Sequence, residues 1–303
     1  MIEARGLTKR YGSTVAVDDL TFTVQPGLVT GFLGPNGAGK STTMRLILGL
    51  DAPTSGTVTL DGKPYREHTK PLRTVGALLD ARAVHPGRSA QAHLLALART
   101  NGIPRSRVEE VIDAVGLRGA ARRRAGGFSL GMGQRLGIAG ALLGDPGTIL
   151  LDEPVNGLDP EGIRWIRSLL RDLAAEGRTV LVSSHLMSEV ALTAHRLLVI
   201  GRGRLIADTG MPEFLASAAP RRARVRTTEP DQLTAALRAP DVTVERAEDG
   251  ALVVTGVSTD QIGTTAAAAG LTVLELTAEQ TSLEDAFLEL TKDAVEFQPG
   301  GDR

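Results

Sequence analysis

The 303-residue chain contains no cysteine. Disulfides, thiolate metal sites and cysteine nucleophiles are thereby excluded. It carries no excess of either charge: 34 Lys and Arg against 35 Asp and Glu leave a formal net charge of -1. Nothing in that balance drives the chain as a whole toward nucleic acid or anionic lipid. No apolar run is long enough to cross a bilayer. The first residues, MIEARGLTKRYG, carry charge where a signal peptide needs an apolar stretch. A soluble, cytoplasmic chain is expected. If it serves a membrane process, another chain supplies the span. What is present is an ordinary globular composition, 42% hydrophobic and 23% charged. The length suits one large domain, or one large and one small.

Short apolar runs alternate with helical patterns through the first half. VTGFLG, RTVGALLD, TILLD and RTVLVSS read as strands. STTMRLILGL reads as a helix with Met44, Ile47 and Leu48 on one face, and EGIRWIRSLLRDLAAEG as a helix closed by glycine. Strands alternating with helices imply a parallel sheet covered on both faces. Residues 89 to 143 look mostly helical and interrupt that alternation, as an inserted subdomain of about 85–145. A boundary falls near SAAPRRARVR, residues 217 to 226. Beyond it RARVRTT, DQLTAALRA, DVTVERAE, ALVVTGV, TDQIGTTAAAAG and LTVLELT read in the order βαββαβ, with a turn at Asp249-Gly250. That order is the split-βαβ plan of a small α+β domain. SLEDAFLELTKDA adds a last helix, and the tail FQPGGDR is expected to be disordered. The domains read from the sequence are 1–216, 217–296 and a tail, 297–303.

Between a strand and a helix lies Gly34, Pro35, Asn36, Gly37, Ala38, Gly39, Lys40, Ser41, Thr42. The stretch satisfies G-x-x-x-x-G-K-[ST] in the right context. The glycines let the backbone turn its N–H groups inward as a nest for phosphate oxygens. The following helix aims its positive end at the same place. Lys40 is a compact point charge that reaches the β- and γ-phosphates, and the Ser41 hydroxyl can bind Mg²⁺. A second site is TILLDEP, an apolar strand ending in two carboxylates. That suits a metal site at the carboxyl edge of a sheet. Asp152 would hold Mg²⁺ through water, and Glu153 would orient or deprotonate the attacking water. Taken alone, the pair could equally cap a helix. Ser129 in turn reads as an N-cap that opens an apolar helix, whose N–H groups can face an anion.

At FSLGMGQRLGIAGALL the chain resembles the nucleotide-binding subunit of an ABC transporter. Members of that family carry a signature, usually Leu-Ser-Gly-Gly-Gln, followed after one residue by Gln-Arg. Here Ser129, Gly131, Gln134 and Arg135 match, while Leu130 and Met132 depart. The resemblance continues in order: Asp159 in NGLDP matches the D-loop, His185 in SSHLMSE the switch histidine near the γ-phosphate. Tyr11 in KRYG stands where the family stacks an aromatic ring on adenine, and it could equally be a strand-edge packing residue. Asp80 stands where the family usually has the Q-loop glutamine; an aspartate there can bind Mg²⁺ or water but changes the local charge. The loop ARAVHPGRSA, with His85 and Arg88, is where family members usually meet their membrane partner. Arg122, Arg123 and Arg124 read as a solvated face.

The resemblance covers residues 1 to about 216, and the remainder resembles the accessory extension of actinobacterial drug-exporter ATPases. It implies an α/β P-loop core with an inserted helical subdomain and a small C-terminal α+β domain. It implies two copies, or this chain and a related ATPase subunit, facing head to tail. ATP with Mg²⁺ would lie between the phosphate loop of one and Ser129 and Gly131 of the other. It also implies a separate membrane permease, export of a drug, antibiotic or lipid, and a place on the inner face of the cell membrane. A ribosome-acting relative usually has two cassettes, and only one phosphate loop is present. A DNA-repair relative needs a long coiled coil, and the gap from Ser41 to Ser129 cannot hold one. A soluble regulatory ATPase is the alternative.

Overall fold

The computed structural model describes residues 1–279, apart from 82, 219–221 and 248, together with Phe287. The expected last helix and the tail lie outside the described residues, Phe287 excepted. Contacts divide the chain into two compact units, one of Met1–Met211 and one that begins at Pro212.

Among the described residues the first unit holds nine strands: β1 (Ile2–Tyr11), β2 (Thr14–Val24), β3 (Val29–Leu33), β4 (Ser55–Leu60), β5 (Val75–Leu78), β6 (Thr148–Leu151), β7 (Thr179–Ser184), β8 (Arg196–Gly201) and β9 (Arg204–Gly210). Six of them form one sheet in the order β5-β6-β7-β3-β8-β9. All neighbours in it are parallel except β9, which returns antiparallel to β8. Every residue of β3, β6 and β7 is buried, as expected of largely apolar strands covered on both faces. The order β6-β7-β3 has a direct consequence for chemistry. It sets the loops after β3, β6 and β7, which lie far apart in sequence, side by side at one edge.

The other three strands form a separate antiparallel sheet, β2-β1-β4. This sheet and the β8–β9 hairpin go beyond the purely parallel sheet read from the sequence. One apolar core joins the two sheets. Ile2, Leu7, Leu20 and Phe22 pack with Phe32, Leu150, Leu181 and Leu198, and with Met44, Leu46 and Ile47 of the helix Lys40–Ile47. The Phe22 and Phe32 rings lie 6.0 Å apart. Each such fully buried side chain contributes about 1.5–3 kcal/mol over leaving it in water.

The helical block contains the helices Ala90–Thr100, Arg105–Ala114 and Leu130–Leu142. After β6 comes the helix Pro160–Ala175, capped by Asp159 and followed by Gly177 in the left-handed region at φ 87°.

The second unit contains β10 (Arg222–Thr227), β11 (Thr243–Arg246), β12 (Leu252–Thr255) and β13 (Val273–Glu279), with helices Pro230–Ala236 and Thr259–Ala268. The sheet order is β11-β12-β10-β13, every pair antiparallel. β12 is therefore inserted between β10 and β11, which the first helix joins: the split-βαβ plan. Ala223, Val225, Leu233, Leu252, Val254, Ile262 and Ala266 fill its core. A capping box of Ser258 and Gln261 opens its second helix.

Candidate active site

The loop after β3 closes tightly onto the helix Lys40–Ile47. Gly39 sits at φ 101°, and a Cβ there would lie 2.4 Å from the Ala16 carbonyl oxygen. Only glycine fits both conditions. Lys40 is 7% exposed, and its Nζ donates to the carbonyl oxygens of Gly34 at 2.6 Å and Pro35 at 3.2 Å. The ammonium is thus folded back over the loop it follows. Burial pushes it below its ordinary pKa, and the negative charges of Glu153 and Asp152 oppose that shift.

The loop after β6 comes to meet it. Ser41 Oγ donates to Asp152 Oδ2 at 2.5 Å, across 111 residues of sequence. Ser183, buried near the end of β7, donates its hydroxyl to the other Asp152 oxygen, Oδ1. The same Ser183 Oγ accepts from the backbone N–H of Glu153 at 2.9 Å. Glu153 stands at φ 49°, a left-handed conformation that costs a non-glycine residue about 1–3 kcal/mol. Two side chains hold it there: Ser183 at its N–H, and the buried Gln134, whose Nε2 donates to its carbonyl oxygen at 3.0 Å. The carboxylate itself is turned to His185, with Nδ1 2.8 Å from Glu153 Oε2. A glycine loop with Gly37 and Gly39 at positive φ, a buried ammonium, a hydroxyl–carboxylate pair and a carboxylate braced by histidine therefore converge at the ends of β3, β6 and β7. Such a set can hold a polyphosphate and move a proton from water.

Ser129, Gly131 and Asp159 form a second cluster. Ser129 Oγ accepts from Met132 N–H at 3.3 Å, capping the helix Leu130–Leu142. A Cβ on Gly131 would lie 2.8 Å from the Gly157 carbonyl oxygen. The helix start and the loop before Asp159 thus interlock. Asp159 Oδ1 accepts from Gly162 N–H at 2.8 Å. Arg135 bridges the helical block to the next helix. It donates to the Val115 carbonyl at 3.0 Å and stacks 4.7 Å from the Trp165 ring centre. Tyr11 lies at the end of β1, 47% exposed, its hydroxyl bonded to Asp51. Asp80 is exposed, two residues past the end of β5. His85 Nδ1 accepts from Gly87 N–H in its own loop at 3.1 Å. Gln134 and Ser183 were not singled out in the sequence as site residues. The signal for Ser183 is weak, because it is one of three hydroxyl residues in β7, with Thr179 and Ser184.

A phosphate loop, an acidic strand end beside it and a histidine after the next strand define a P-loop nucleoside-triphosphate hydrolase. The ABC transporter family model matches residues 17–156, and a domain family of unknown function matches residues 221–284. The chain is 42% identical over 211 residues to the bacitracin transport ATP-binding protein BcrA of Bacillus licheniformis, across 69% of each chain. It is 35% identical over 208 residues to the lantibiotic transport ATP-binding protein SrtF of Streptococcus pyogenes, covering 69% of this chain and 90% of that one. Its fold matches a dimeric structure of the bacterial ABC transporter cassette MJ0796 with a TM-score of 0.65 and 25% identity, over 70% and 99% of the chains. The chain belongs to the ABC transporter family as an ATP-binding, ATP-hydrolysing subunit that powers a separate permease. No helix among the described residues is long and apolar enough to cross a membrane.

The buried lysine gives a pH dependence. A charged ammonium here would attract phosphate, so the attraction would be complete below the Lys40 pKa of the free protein and would weaken progressively as the pH rises from there toward the higher pKa of the ATP-bound protein. That pKa is lowered, so ATP affinity is expected to weaken at an alkaline pH where an ordinary lysine is still charged. Binding there takes up a proton, because the bound anion restores the ammonium. Calorimetry in two buffers of different ionisation enthalpy reads both effects. A flat affinity without proton uptake across the alkaline range contradicts this reading.

Proposed function

We propose that the chain binds ATP with Mg²⁺ in a site completed by a second copy or a related subunit. Hydrolysis there drives export of a drug, antibiotic or lipid through a permease, to which the chain docks at the inner membrane face. One observation carries the reading: the linked set Ser41, Asp152, Ser183, Glu153 and His185 at adjacent strand ends, beside Lys40. The transport names of the BcrA and SrtF relatives support the cargo class, and the MJ0796 dimer supports the shared site.

The roles follow from the contacts. The loop from Gly34 through Pro35, Asn36, Gly37, Ala38 and Gly39 to Thr42 wraps the phosphates with N–H groups. Lys40 turns from its carbonyl partners to the γ-phosphate. Ser41 and Asp152 would hold Mg²⁺. Their oxygens are an all-oxygen pair of the kind it takes, with water and phosphate completing the shell. No group of three or more His, Cys, Asp or Glu among the described residues is set to hold a metal, and Mg²⁺ bound to nucleotide needs none. When bound, Mg²⁺ neutralises charge on the transferring phosphoryl group. Glu153 accepts the proton of a water whose oxygen attacks the γ-phosphorus as the bond to ADP breaks. His185, paired to Glu153, orients that carboxylate and meets the γ-phosphate.

Ser129 and Gly131, at an exposed helix start, face the γ-phosphate held by the other subunit, with Asp159 beside them. Asp80 contributes a water-bridged contact to Mg²⁺. Tyr11 stacks on adenine. The unit from Pro212 serves as an accessory domain.

The permease docks at a cleft of about 370 Å³ lined by Ala81, Val84, Pro86, Phe128, Leu130 and Leu136. The cleft lies between the loop after β5 and the start of the signature helix. Motion of the nucleotide site would thus reach the membrane partner. The test is tagged purification from detergent-solubilised membranes of the native host, with mass spectrometry. One dominant polytopic protein supports export. Ribosomal proteins or no membrane protein would leave the ATPase and point to a soluble regulatory role.

A further inference from the structure

Tyr11 is the one aromatic ring that the reading above assigns to the nucleotide base, and it is 47% exposed at a strand end. Left to itself, such a ring rotates freely, and a stacking base must then order it. Here the ring is tied on two sides. Its hydroxyl donates to Asp51 Oδ2 at 2.8 Å, across 40 residues of sequence. The Lys9 ammonium sits 4.8 Å from the ring centre, held there by the Ala52 carbonyl oxygen at 2.7 Å. Lys9 takes one face of the half-exposed ring, so a stacking base would take the other.

Asp51 does not stand alone either. Arg45 donates to both its oxygens, Nε to Oδ2 at 2.7 Å and Nη2 to Oδ1 at 3.3 Å. Arg45 belongs to the helix Lys40–Ile47, the same helix whose first turn carries Lys40 and Ser41. A continuous chain of contacts therefore runs from the phosphate loop along one helix, through a bidentate ion pair, to the phenol of Tyr11. The bonds from Arg45 and then Tyr11 hold the Asp51 carboxyl below its ordinary pKa. The bond to Asp51 raises that of the Tyr11 hydroxyl. The acceptor stays ionised and the donor stays protonated throughout the working range.

We propose that Asp51 is a positioning residue for the nucleotide base: it fixes the Tyr11 ring at a set distance and angle from the phosphate loop through Arg45. The base then stacks on a ring already ordered, and a nucleotide whose phosphates are seated finds the ring in register. The inference rests on adenine stacking at Tyr11, and the experiment separates the two.

ATP and inorganic tripolyphosphate, which has no base, are titrated into the wild-type chain and into Tyr11→Ala, Tyr11→Phe, Asp51→Ala and Asp51→Asn. Losing one hydrogen bond that orders the ring is expected to weaken ATP binding about three- to tenfold in Tyr11→Phe and in Asp51→Ala. The double variant Tyr11→Phe with Asp51→Ala should be no worse than either single one. Tripolyphosphate affinity is unchanged in all of them. The kcat of Asp51→Ala at saturating ATP stays at the wild-type value while its KM rises. Asp51→Asn, which keeps an acceptor for the phenol, retains most of the affinity.

If Tyr11→Ala weakens ATP binding while Tyr11→Phe and Asp51→Ala bind as wild type, the inference falls and adenine stacking stands. If Tyr11→Ala binds ATP as wild type, stacking itself falls and takes the inference with it. Equal weakening of tripolyphosphate in Asp51→Ala would show a general disturbance of the helix, which also overturns the inference. Tyr11→Phe keeps the Arg45–Asp51 pair intact and so decides the matter even if Asp51→Ala folds poorly.

Discussion

Glu153→Gln is expected to bind ATP about as tightly as the wild-type chain, to accumulate as an ATP-dependent dimer, and to hydrolyse ATP at least about a hundredfold more slowly. The physical reason is narrow. The amide has nearly the shape of the carboxylate, keeps an oxygen for the His185 contact at 2.8 Å, and keeps the backbone bonds to Ser183 and Gln134. What it loses is the ability to take a proton from water, and a positioned general base contributes roughly 10²–10⁴ in rate. Removing one negative charge also eases the approach of the γ-phosphate, so affinity does not fall. Phosphate release gives the rate, and light scattering after size exclusion with Mg²⁺-ATP gives the dimer. Wild-type turnover in this variant would remove Glu153 from its role.

Lys40→Ala is expected to lose ATP binding by about a hundredfold or more while keeping the fold. Hydrogen bonds from a charged group contribute about 1.5–3 kcal/mol each, and the ammonium can make more than one to phosphate oxygens. In the free protein the same ammonium is largely buried, and its only hydrogen bonds among the described residues are to the Gly34 and Pro35 carbonyl oxygens. Burial disfavours its charge. Its removal therefore does not destabilise the chain in the way truncation of a core residue would. Thermal unfolding should stay within a few degrees of wild type without nucleotide, and ATP should no longer raise it. Stabilisation by ATP as large as in the wild-type chain would contradict the phosphate-loop assignment.

How much of this was legible in the sequence depends on how local each feature is. β3, β6 and β7 are short runs dominated by apolar residues, with only small hydroxyl side chains among them, and their complete burial fits that. β1 was not legible. Its polar residues, the left-handed Gly6 at φ 58° and its register shifts against β2 break the alternation that marks a strand. β9 is only partly buried, and its antiparallel return is set by the turn at Arg202 and Gly203, both at positive φ. The phosphate loop was legible because its chemistry is packed into consecutive residues. The brace around Glu153 was not. Gln134 lies 19 residues before it and Ser183 30 residues after, and only the sheet order and the helical block bring them together. The tie between Tyr11 and Asp51 likewise spans 40 residues and depends on the helix between them.

The central claim is that ATP is hydrolysed at a site two subunits complete together. The most direct test is phosphate release per chain, measured over a wide range of protein concentration at saturating Mg²⁺-ATP, with Lys40→Ala as background. A site of this kind predicts a rate per chain that rises with concentration and levels off as the dimer fills. A rate per chain that is constant down to the most dilute sample, or one that never exceeds the Lys40→Ala background, would contradict it.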